Sequence, residues 1–155
     1  MTMAFEIERK FLVDDLSFKN EADNTTHILQ TYISINPDST VRLRIVDDKS
    51  AFITIKSRNK GAVRHEWEYE IGVEDAKQMI ELCASTPLID KTRYRCGRWE
   101  VDMFAGVLSG LIVAEIELTD EDESFAHPAW LGKEVTGDKR YYNSSLATAT
   151  SVPLP

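Results

Sequence analysis

Near its start the chain reads Phe5-Glu6-Ile7-Glu8-Arg9-Lys10-Phe11, in which apolar and charged residues alternate. A period of two residues is that of a β-strand, because successive side chains of a strand point to opposite faces of the sheet. Phe5 and Ile7 then share one face, and Glu6, Glu8 and Lys10 share the other. The pattern therefore predicts a strand whose two faces meet very different surroundings.

The same alternation recurs along most of the chain, with turn-forming residues between the runs. It predicts eight strands, at Met3–Val13, His27–Ile35, Val41–Val46, Ala51–Ser57, Val63–Val73, Ile89–Cys96, Trp99–Phe104 and Leu111–Thr119. Helical periodicity is sparse and predicts helices only at Asp14–Asn20, Glu74–Ser85 and Lys139–Thr148. Parallel βαβ units need a helix between almost every pair of strands, so we expect an α+β fold, an eight-stranded antiparallel β-barrel with a few flanking helices. No repeat or linker divides the chain, and residues 1–155 are expected to form a single domain.

Composition and charge exclude several classes of protein. The 155 residues include 18 Lys and Arg against 26 Asp and Glu, which gives a net charge of −8. A general binder of nucleic acid or acidic membranes normally carries the opposite balance, and no apolar run approaches the roughly 18 residues of a transmembrane helix. Cys83 and Cys96 form neither a CxxC pair nor a disulfide framework, so a cytoplasmic location is expected. We expect no nucleic-acid or membrane partner, and both a monomer and a homodimer remain open.

The charged phase of the predicted strands contains like charges side by side. Its eight basic and nine acidic residues are Lys10, Arg42, Arg44, Lys56, Arg64, Lys91, Arg93 and Arg95, and Glu6, Glu8, Glu66, Glu68, Glu70, Glu100, Asp102, Glu115 and Glu117. On periodicity alone, the simplest interpretation is a solvated outer face. Same-sign pairs such as Arg42 with Arg44 favour the opposite arrangement, in which this face lines a water-filled tunnel that binds ligands of opposite sign.

Motifs in a fixed order along the chain resemble those of one protein family. They are Glu6-Ile7-Glu8-Arg9-Lys10, which has the form ExExK, Val41-Arg42-Leu43-Arg44, Thr54-Ile55-Lys56, Arg64-x-Glu66-x-Glu68, Lys91-Thr92-Arg93, Trp99-Glu100-Val101-Asp102, Glu115-Ile116-Glu117 and Glu134-Val135-Thr136-x-Asp138-x-Arg140. The ordered set is similar to that of the CYTH superfamily, the triphosphate tunnel metalloenzymes. This resemblance implies a tunnel walled by eight strands and lined by the charged phase. It also implies a divalent-metal-dependent triphosphatase, a hydrolase of phosphoanhydride bonds.

With this resemblance, the charged residues divide between two tasks. A triphosphate needs fixed cations along its length, and those expected to bind it are Arg42, Arg44, Lys56, Lys91, Arg93 and Arg140. Carboxylates repel phosphate unless hard divalent cations lie between them. The expected ligands of one or two Mg²⁺ or Mn²⁺ ions are Glu6, Glu8, Glu115 and Glu117, because barrel closure brings the first and last strands together. Glu66 and Glu68 are expected as further ligands, for a second ion. Catalytic roles are expected for Glu8, Lys10, Glu68 and Arg93.

Several functions fit a fold of this kind. Hydrolysis of inorganic triphosphate or another small triphosphate is the favoured interpretation. A class IV adenylyl cyclase needs an adenine pocket, for which the short loops leave little sequence, and a thiamine triphosphatase needs an aromatic platform at the tunnel mouth. Trp67 and Trp99 fall in the outward phase. A non-catalytic polyphosphate-binding module would not need the carboxylates.

The C-terminal segment has too few apolar residues for an ordinary core helix. In the family that this chain resembles, a C-terminal helix closes one end of the tunnel. We therefore expect residues 139–147 to do so, with Arg140 reaching the triphosphate and with Tyr141 and Leu146 packing on the barrel rim.

Overall fold

The computed structural model describes residues 5–83 and 88–154, and within them the chain forms nine strands and two α-helices. The strands are β1 (Phe5–Val13), β2 (Asn24–Ser34), β3 (Ser39–Val46), β4 (Ser50–Ser57), β5 (Val63–Ile71), β6 (Ile89–Cys96), β7 (Trp99–Phe104), β8 (Ile112–Glu117) and β9 (Leu131–Glu134). The helices are α1 (Val73–Glu81) and α2 (Asn143–Leu146), with single 3-10 turns at Ser17–Glu21, Gly106–Leu108 and Lys139–Tyr141.

The first strand closes the sheet into a barrel because it has neighbours on both sides. The strands follow the order β5-β4-β3-β2-β6-β7-β8-β1, and all neighbours are antiparallel. Residues 5–7 of β1 pair with β5, and residues 8–12 pair with β8. The predicted eight-stranded antiparallel barrel of the α+β class is confirmed.

The ninth strand lies outside the predicted set. β9 pairs with the end of β1, with Phe11 opposite Glu134. It lies on the side of β1 whose first residues pair with β5. A Cβ atom on Gly132 would lie 2.5 Å from Oδ1 of Asp14 and 2.9 Å from the carbonyl oxygen of Leu12. This close approach of two backbones requires glycine, and a four-residue strand that contains glycine shows no alternation in its sequence.

Other differences from the sequence-based expectation lie at the ends of the elements. β2 begins at Asn24 rather than His27, because its ladder with β6 continues to the pair Asn24–Arg95. The segment expected as a helix at Asp14–Asn20 forms only a 3-10 turn. The expected end of α1 at Ser85 and the expected start of β1 at Met3 lie outside the described residues.

The predicted helix at Lys139–Thr148 is divided into two short pieces. Tyr142 separates the 3-10 turn from α2 and has extended backbone angles, with φ −64° and ψ 137°. Asp138 begins the turn, and its side chain accepts a hydrogen bond from the backbone N–H of Arg140. The segment therefore bends twice instead of running as one helix.

Large apolar side chains cover the outer face of the barrel. Phe11, Trp99, Trp130 and Phe18 pack edge to face in one cluster, and Ala76 of α1 packs on the outer face of β3 and β4. Burial of each large side chain contributes about 1.5–3 kcal/mol. The apolar phase of the strands therefore faces outward, and flanking segments cover much of it, while Trp67 and Tyr69 on β5 are exposed.

The inward face of the barrel becomes apolar toward one end. Ile89, Phe104 and Val113 pack there with Tyr141 and Leu146 of the C-terminal segment, and all five are buried. We call these five residues the apolar floor. They fill one end of the barrel and leave the charged part of the interior above them.

Candidate active site

The interior above the apolar floor holds a cavity of about 200 Å³ with a highly charged wall, which we call the tunnel cavity. Its lining residues are Glu6, Glu8, Arg42, Arg44, Lys56, Glu66, Glu68, Arg93, Glu100, Glu115, Glu117 and Asn143. All except Asn143 belong to the charged phase of the strands. The interpretation of that phase as a solvated outer face is therefore wrong, since these side chains face one another across the interior.

Two arginines of β3 enter the cavity side by side, held by uncharged neighbours. Arg44 donates through Nε and Nη2 to Oε1 of Gln30, at 2.9 and 2.8 Å. Arg42 donates through Nη2 to Oγ1 of Thr54 at 3.2 Å, and its Nε is buried without a hydrogen bond among the described residues. Burial, together with the charges of Arg42 and Arg93, lowers the pKa of Arg44 to about 9. The wall thus orients both cations through uncharged groups, and Oε2 of Glu68 lies 3.9 Å from Nη2 of Arg42.

On the opposite wall, one carboxylate holds two cations. Oδ2 of Asp102 lies 2.7 Å from Nζ of Lys91, and Arg93 donates to both oxygens of Asp102 at 2.8 and 2.9 Å. Burial would raise the pKa of Asp102, but the two cations hold it well below its ordinary value. Burial also lowers the pKa of the fully enclosed Lys91 to about 7, although Asp102 opposes this shift. Asp102 is a fixed anion that sets the orientation of Arg93.

Carboxylates crowd the part of the cavity next to β1. Burial and the charges of Glu115 and Glu6 raise the pKa of Glu8 well above its ordinary value. Burial and a hydrogen bond with Glu6 raise the pKa of Glu66 to about 8. Burial opposes the ionisation of Glu6 as well, yet Lys56, whose Nζ lies 2.8 Å from Oε2, holds its pKa below the ordinary value. Additional positive charge would stabilise this cluster.

Comparison with known proteins identifies the family. Residues 4–150 match the sequence profile of the CYTH domain. The chain belongs to the CYTH domain family. This CYTH chain is 43% identical over 148 residues to an inorganic triphosphatase of Acetivibrio thermocellus, covering 93% of this chain and 94% of that protein. It is 38% identical over 151 residues to an inorganic triphosphatase of Nitrosomonas europaea, covering 92% and 96%.

Solved structures share the architecture of this CYTH domain. The crystal structure of an inorganic triphosphatase superimposes with a TM-score of 0.64 at 35% identity, covering 94% of this chain and 99% of that chain. A protein from Pyrococcus horikoshii superimposes with a TM-score of 0.57 at 19% identity, covering 75% and 80%, and shares the fold alone. Among the described residues, we find no helix with the length and apolar character to cross a membrane.

Membership of the CYTH family implies dependence on a divalent metal ion. The carboxylates of the tunnel cavity fit such an ion, since hard divalent cations prefer oxygen ligands. Both carboxylate oxygens of Glu6 are buried, and Lys56 is paired with a cluster that also contains Glu8 and Glu66. In residues 5–83 and 88–154, no three carboxylate, imidazole or thiolate groups already enclose a position for an ion, so side-chain rotations would have to gather them.

The structure brings most of the sequence-predicted site residues of the CYTH domain to one cavity, while Lys10 and Lys91 lie deeper, beside the apolar floor. Nζ of Lys10 donates to the carbonyl oxygen of Tyr141 at 2.9 Å, and Nζ of Lys91 donates to Oδ1 of Asn143 at 3.5 Å. Lys10 also holds the pKa of Glu115 at about 2, although burial opposes this. These two lysines therefore link the charged interior to the C-terminal segment.

Arg140 does not reach the tunnel cavity. Its guanidinium donates to the carboxylate of Asp138 and to the carbonyl oxygen of Leu154, and its side chain is half exposed. The same bend carries Tyr141 and Leu146 into the apolar floor, where both are buried, rather than onto the barrel rim. The 3-10 turn that starts at Asp138 explains both differences, because it folds Arg140 back onto its own first residue.

Three residues of the site lie outside the charged phase that the sequence identifies. Gln30 and Thr54 hold the two arginines of β3, and Asn143 reaches the tunnel cavity from α2. The register gives a signal for the first two, since Gln30 lies opposite Arg44 and Thr54 lies opposite Arg42. Asn143 follows an irregular turn, and no periodicity identifies it.

Proposed function

We propose that this CYTH protein hydrolyses inorganic triphosphate to diphosphate and phosphate with Mg²⁺ or Mn²⁺. One observation carries the proposal. Every residue that lines the tunnel cavity is charged, except for the amide Asn143. Such a wall offers a polyanion contacts along its length but gives a purine or thiazole ring no apolar surface on which to stack. The names of both curated relatives agree with this substrate.

Cations on both walls are proposed to bind the substrate. Arg42 and Arg44 extend from β3, and Lys56 extends from the neighbouring strand. Arg93 faces them from β6, already oriented by Asp102. Guanidinium groups bind phosphate oxygens through paired hydrogen bonds, and lysines act as point charges. Lys91 is proposed to add its charge from the side of the floor, where a bound anion would favour its protonated form.

Carboxylates are proposed to hold one or two metal ions. The residues proposed as ligands are Glu6, Glu8, Glu66, Glu68, Glu115 and Glu117. When bound, a hard divalent ion neutralises phosphate charge and polarises the phosphoryl oxygens. The burial of the Glu6 carboxylate and the raised pKa of Glu8 support this assignment, because a nearby cation would stabilise the ionised form of both.

Glu68 is proposed to orient the attacking water. Its side chain is partly exposed to solvent, and its Oε2 lies 3.3 Å from Oγ1 of Thr54 and 3.9 Å from Nη2 of Arg42. The water oxygen forms a bond to the terminal phosphorus while its proton passes to Glu68. The bond from phosphorus to the bridging oxygen breaks, and its electron pair leaves with the diphosphate. Arg93 stabilises the charge on that leaving group, and Lys10 is proposed to add its charge from its position beside the apolar floor. Glu8 has a raised pKa and is the second candidate for the proton acceptor.

We also place the protein in the cytoplasm. Cys83 and Cys96 are both free and buried, which is typical of proteins from a reducing compartment. The purified protein should therefore fold without forming a disulfide bond, and its activity should be measured in reducing buffer.

Measurement of phosphate and cyclic AMP release tests the proposed function. Triphosphate, ATP, GTP and thiamine triphosphate are each supplied with Mg²⁺ or Mn²⁺, and a chelator serves as the control. We expect the highest kcat/KM for inorganic triphosphate and no turnover with the chelator. Formation of cyclic AMP from ATP, or a preference for thiamine triphosphate, would overturn the proposal.

A further inference from the structure

A second cavity lies behind the C-terminal segment, on the side away from the tunnel cavity. It has a volume of about 350 Å³, and we call it the rear cavity. Its lining residues are Ile35, Pro37, Thr40, Arg58, Asn59, Arg64, Lys139, Tyr142, Ser144, Ser145 and Thr148. Three of them are cations, five carry hydroxyl groups, and none is a carboxylate. A basic cavity without an acidic lining residue stands out in a chain with a net charge of −8.

The three cations differ in whether their side chains are paired. Within the part of the chain that the structure describes, the side chains of Arg64 and Lys139 make no hydrogen bond or ion pair, and Arg64 is half-buried. Arg58 differs, because it pairs with Asp38. A guanidinium carries five N–H donors, and removing them from water without a partner costs free energy. Arg64 lies opposite Glu6 in the pairing of β1 with β5 and helps to lower the pKa of Glu6, but within the described residues the two form no ion pair, so the donors of Arg64 can still bind a further anion.

A narrow waist separates the rear cavity from the tunnel cavity. The waist has a volume of about 10 Å³ and shares Arg42, Lys56 and Asn143 with the tunnel cavity. It shares Arg64 and Tyr142 with the rear cavity. A space of this size holds about one water molecule, so a phosphate group does not fit through it. The rear cavity is therefore separate from the tunnel cavity, and Arg64 lies between the waist and the rear cavity.

We propose that the rear cavity is a second oxyanion site, which binds a phosphate group through Arg64, Lys139 and the surrounding hydroxyls. Guanidinium, ammonium and hydroxyl donors without a competing carboxylate are the groups that recognise phosphate oxygens. The ligand is either free inorganic phosphate or the terminal phosphate of a longer linear polyphosphate. This site is independent of the proposed hydrolysis, because it contains none of the residues assigned to that reaction.

Calorimetric titration of the full-length protein without metal tests this site with inorganic phosphate and, separately, with linear polyphosphate as probes. The variants are Arg64→Ala and Lys139→Gln, with Lys49→Gln as the matched control in the turn between β3 and β4. Arg42→Ala weakens any binding in the tunnel cavity. Lys139 is exposed, so its variant should fold even if Arg64→Ala does not, and circular dichroism checks both.

We expect Arg64→Ala and Lys139→Gln each to weaken one binding component about tenfold or more, the loss typical of a charge-assisted hydrogen bond. That component should persist in Arg42→Ala and in the Lys49→Gln control. If the two variants weaken the binding of inorganic phosphate, the free ion is the ligand. If they weaken only the binding of linear polyphosphate, the ligand is the end of a polyphosphate chain. Binding that is lost in Arg42→Ala and unchanged in both rear-cavity variants would overturn the proposal.

Discussion

The two ends of the barrel interior use the same strands and the same face for opposite purposes. Along β6 the inward residues run from Arg93 through Lys91 to Ile89, and along β7 they run from Asp102 to Phe104. At one end they meet charges across a cavity, and at the other they meet the buried C-terminal segment. The periodicity of a strand therefore determines on which face a side chain lies. Its position along the strand determines whether it lines the charged cavity or packs in the apolar floor.

The comparison also separates stability from activity. Burying charges costs free energy that their mutual attraction repays only in part, so the tunnel cavity is a poor source of stability. The apolar floor has no such cost and stabilises the barrel by removing large side chains from water. Changes in the cavity should therefore alter turnover, and changes in the floor should alter the free energy of unfolding.

The largest effect is expected for the carboxylates proposed as metal ligands. Glu117→Gln should abolish metal-dependent turnover while the thermal unfolding curve stays near that of the wild type, because an amide keeps the shape but loses the charge. Glu6→Gln should do the same, although it also deprives the partly buried Lys56 of its anion. Steady-state phosphate release with Mg²⁺ and Mn²⁺ measures the effect. Near-normal rates in both variants would show that these residues are not ligands.

A second test removes cations from the two walls. Arg44→Ala and Arg93→Ala should each lower kcat/KM by about 10²–10³, by analogy with the loss of an oxyanion-hole donor. Arg44→Ala is the cleaner variant, since it leaves only the uncharged Gln30 without a partner. If kcat/KM for triphosphate stays within a few-fold of the wild-type value, the tunnel cavity does not bind the substrate.

In the floor, Tyr141→Ala should lower the free energy of unfolding by about 3–5 kcal/mol, as expected for a large side chain truncated in a core. Tyr69→Ala, on the exposed outer face of β5, is the matched control and should change it by less than about 1 kcal/mol. Urea unfolding followed by fluorescence compares the two. Equal losses would mean that the C-terminal segment packs no more firmly than the surface does.

The ion pairs of Asp102, which lie between the tunnel cavity and the apolar floor, should make the free energy of unfolding depend on pH. Its pKa is lower in the folded protein than in the unfolded chain, where it is about 3.9. The stabilising contribution is therefore present above that value and is lost as the pH falls through the folded pKa. Asp102→Asn should cost about 3–5 kcal/mol at pH 7, and the deficit should shrink at acidic pH. Urea titrations from pH 7 to pH 3 measure it, and a deficit independent of pH would contradict this origin.

The smallest effect is expected outside the barrel. Arg9 lies next to Glu8 and Lys10 in the sequence but points outward and pairs with Glu134 of β9. Arg9→Ala should cost about 0–1 kcal/mol of stability and leave turnover unchanged, as for other exposed ion pairs. A fall in kcat/KM comparable to that of Arg44→Ala would show that the two faces of β1 are not functionally distinct.

The sequence predicts the barrel well because alternation reports directly on which side chains share a face. It cannot by itself tell whether the charged face is inside or outside, since both arrangements have the same period. Same-sign pairs such as Arg42 with Arg44, together with the ordered motifs, indicate that the charged face lies inside the barrel. The strand pairing that joins Glu8 to Glu117 also follows from closure of the barrel.

Features that depend on irregular backbone escape prediction. The position of Arg140 follows from a 3-10 turn capped by Asp138, and neither has a periodic signature. Asn143 enters the tunnel cavity only because the chain bends at Tyr142. β9 depends on the close approach that Gly132 permits. In each case the position of the residue depends on a contact that no local sequence pattern predicts.

The position of β1 has a consequence for how the chain reaches its folded state. β1 is synthesised first, but β8 and β9, which pair with most of its length, come last among the strands. Only residues 5–7 have a partner in β5 before then. Contacts between distant parts of a chain form slowly, because loop closure must precede them. The carboxylates of Glu6 and Glu8 therefore meet those of β8 only after β8 has been synthesised, and we expect the charged interior to be assembled late in folding.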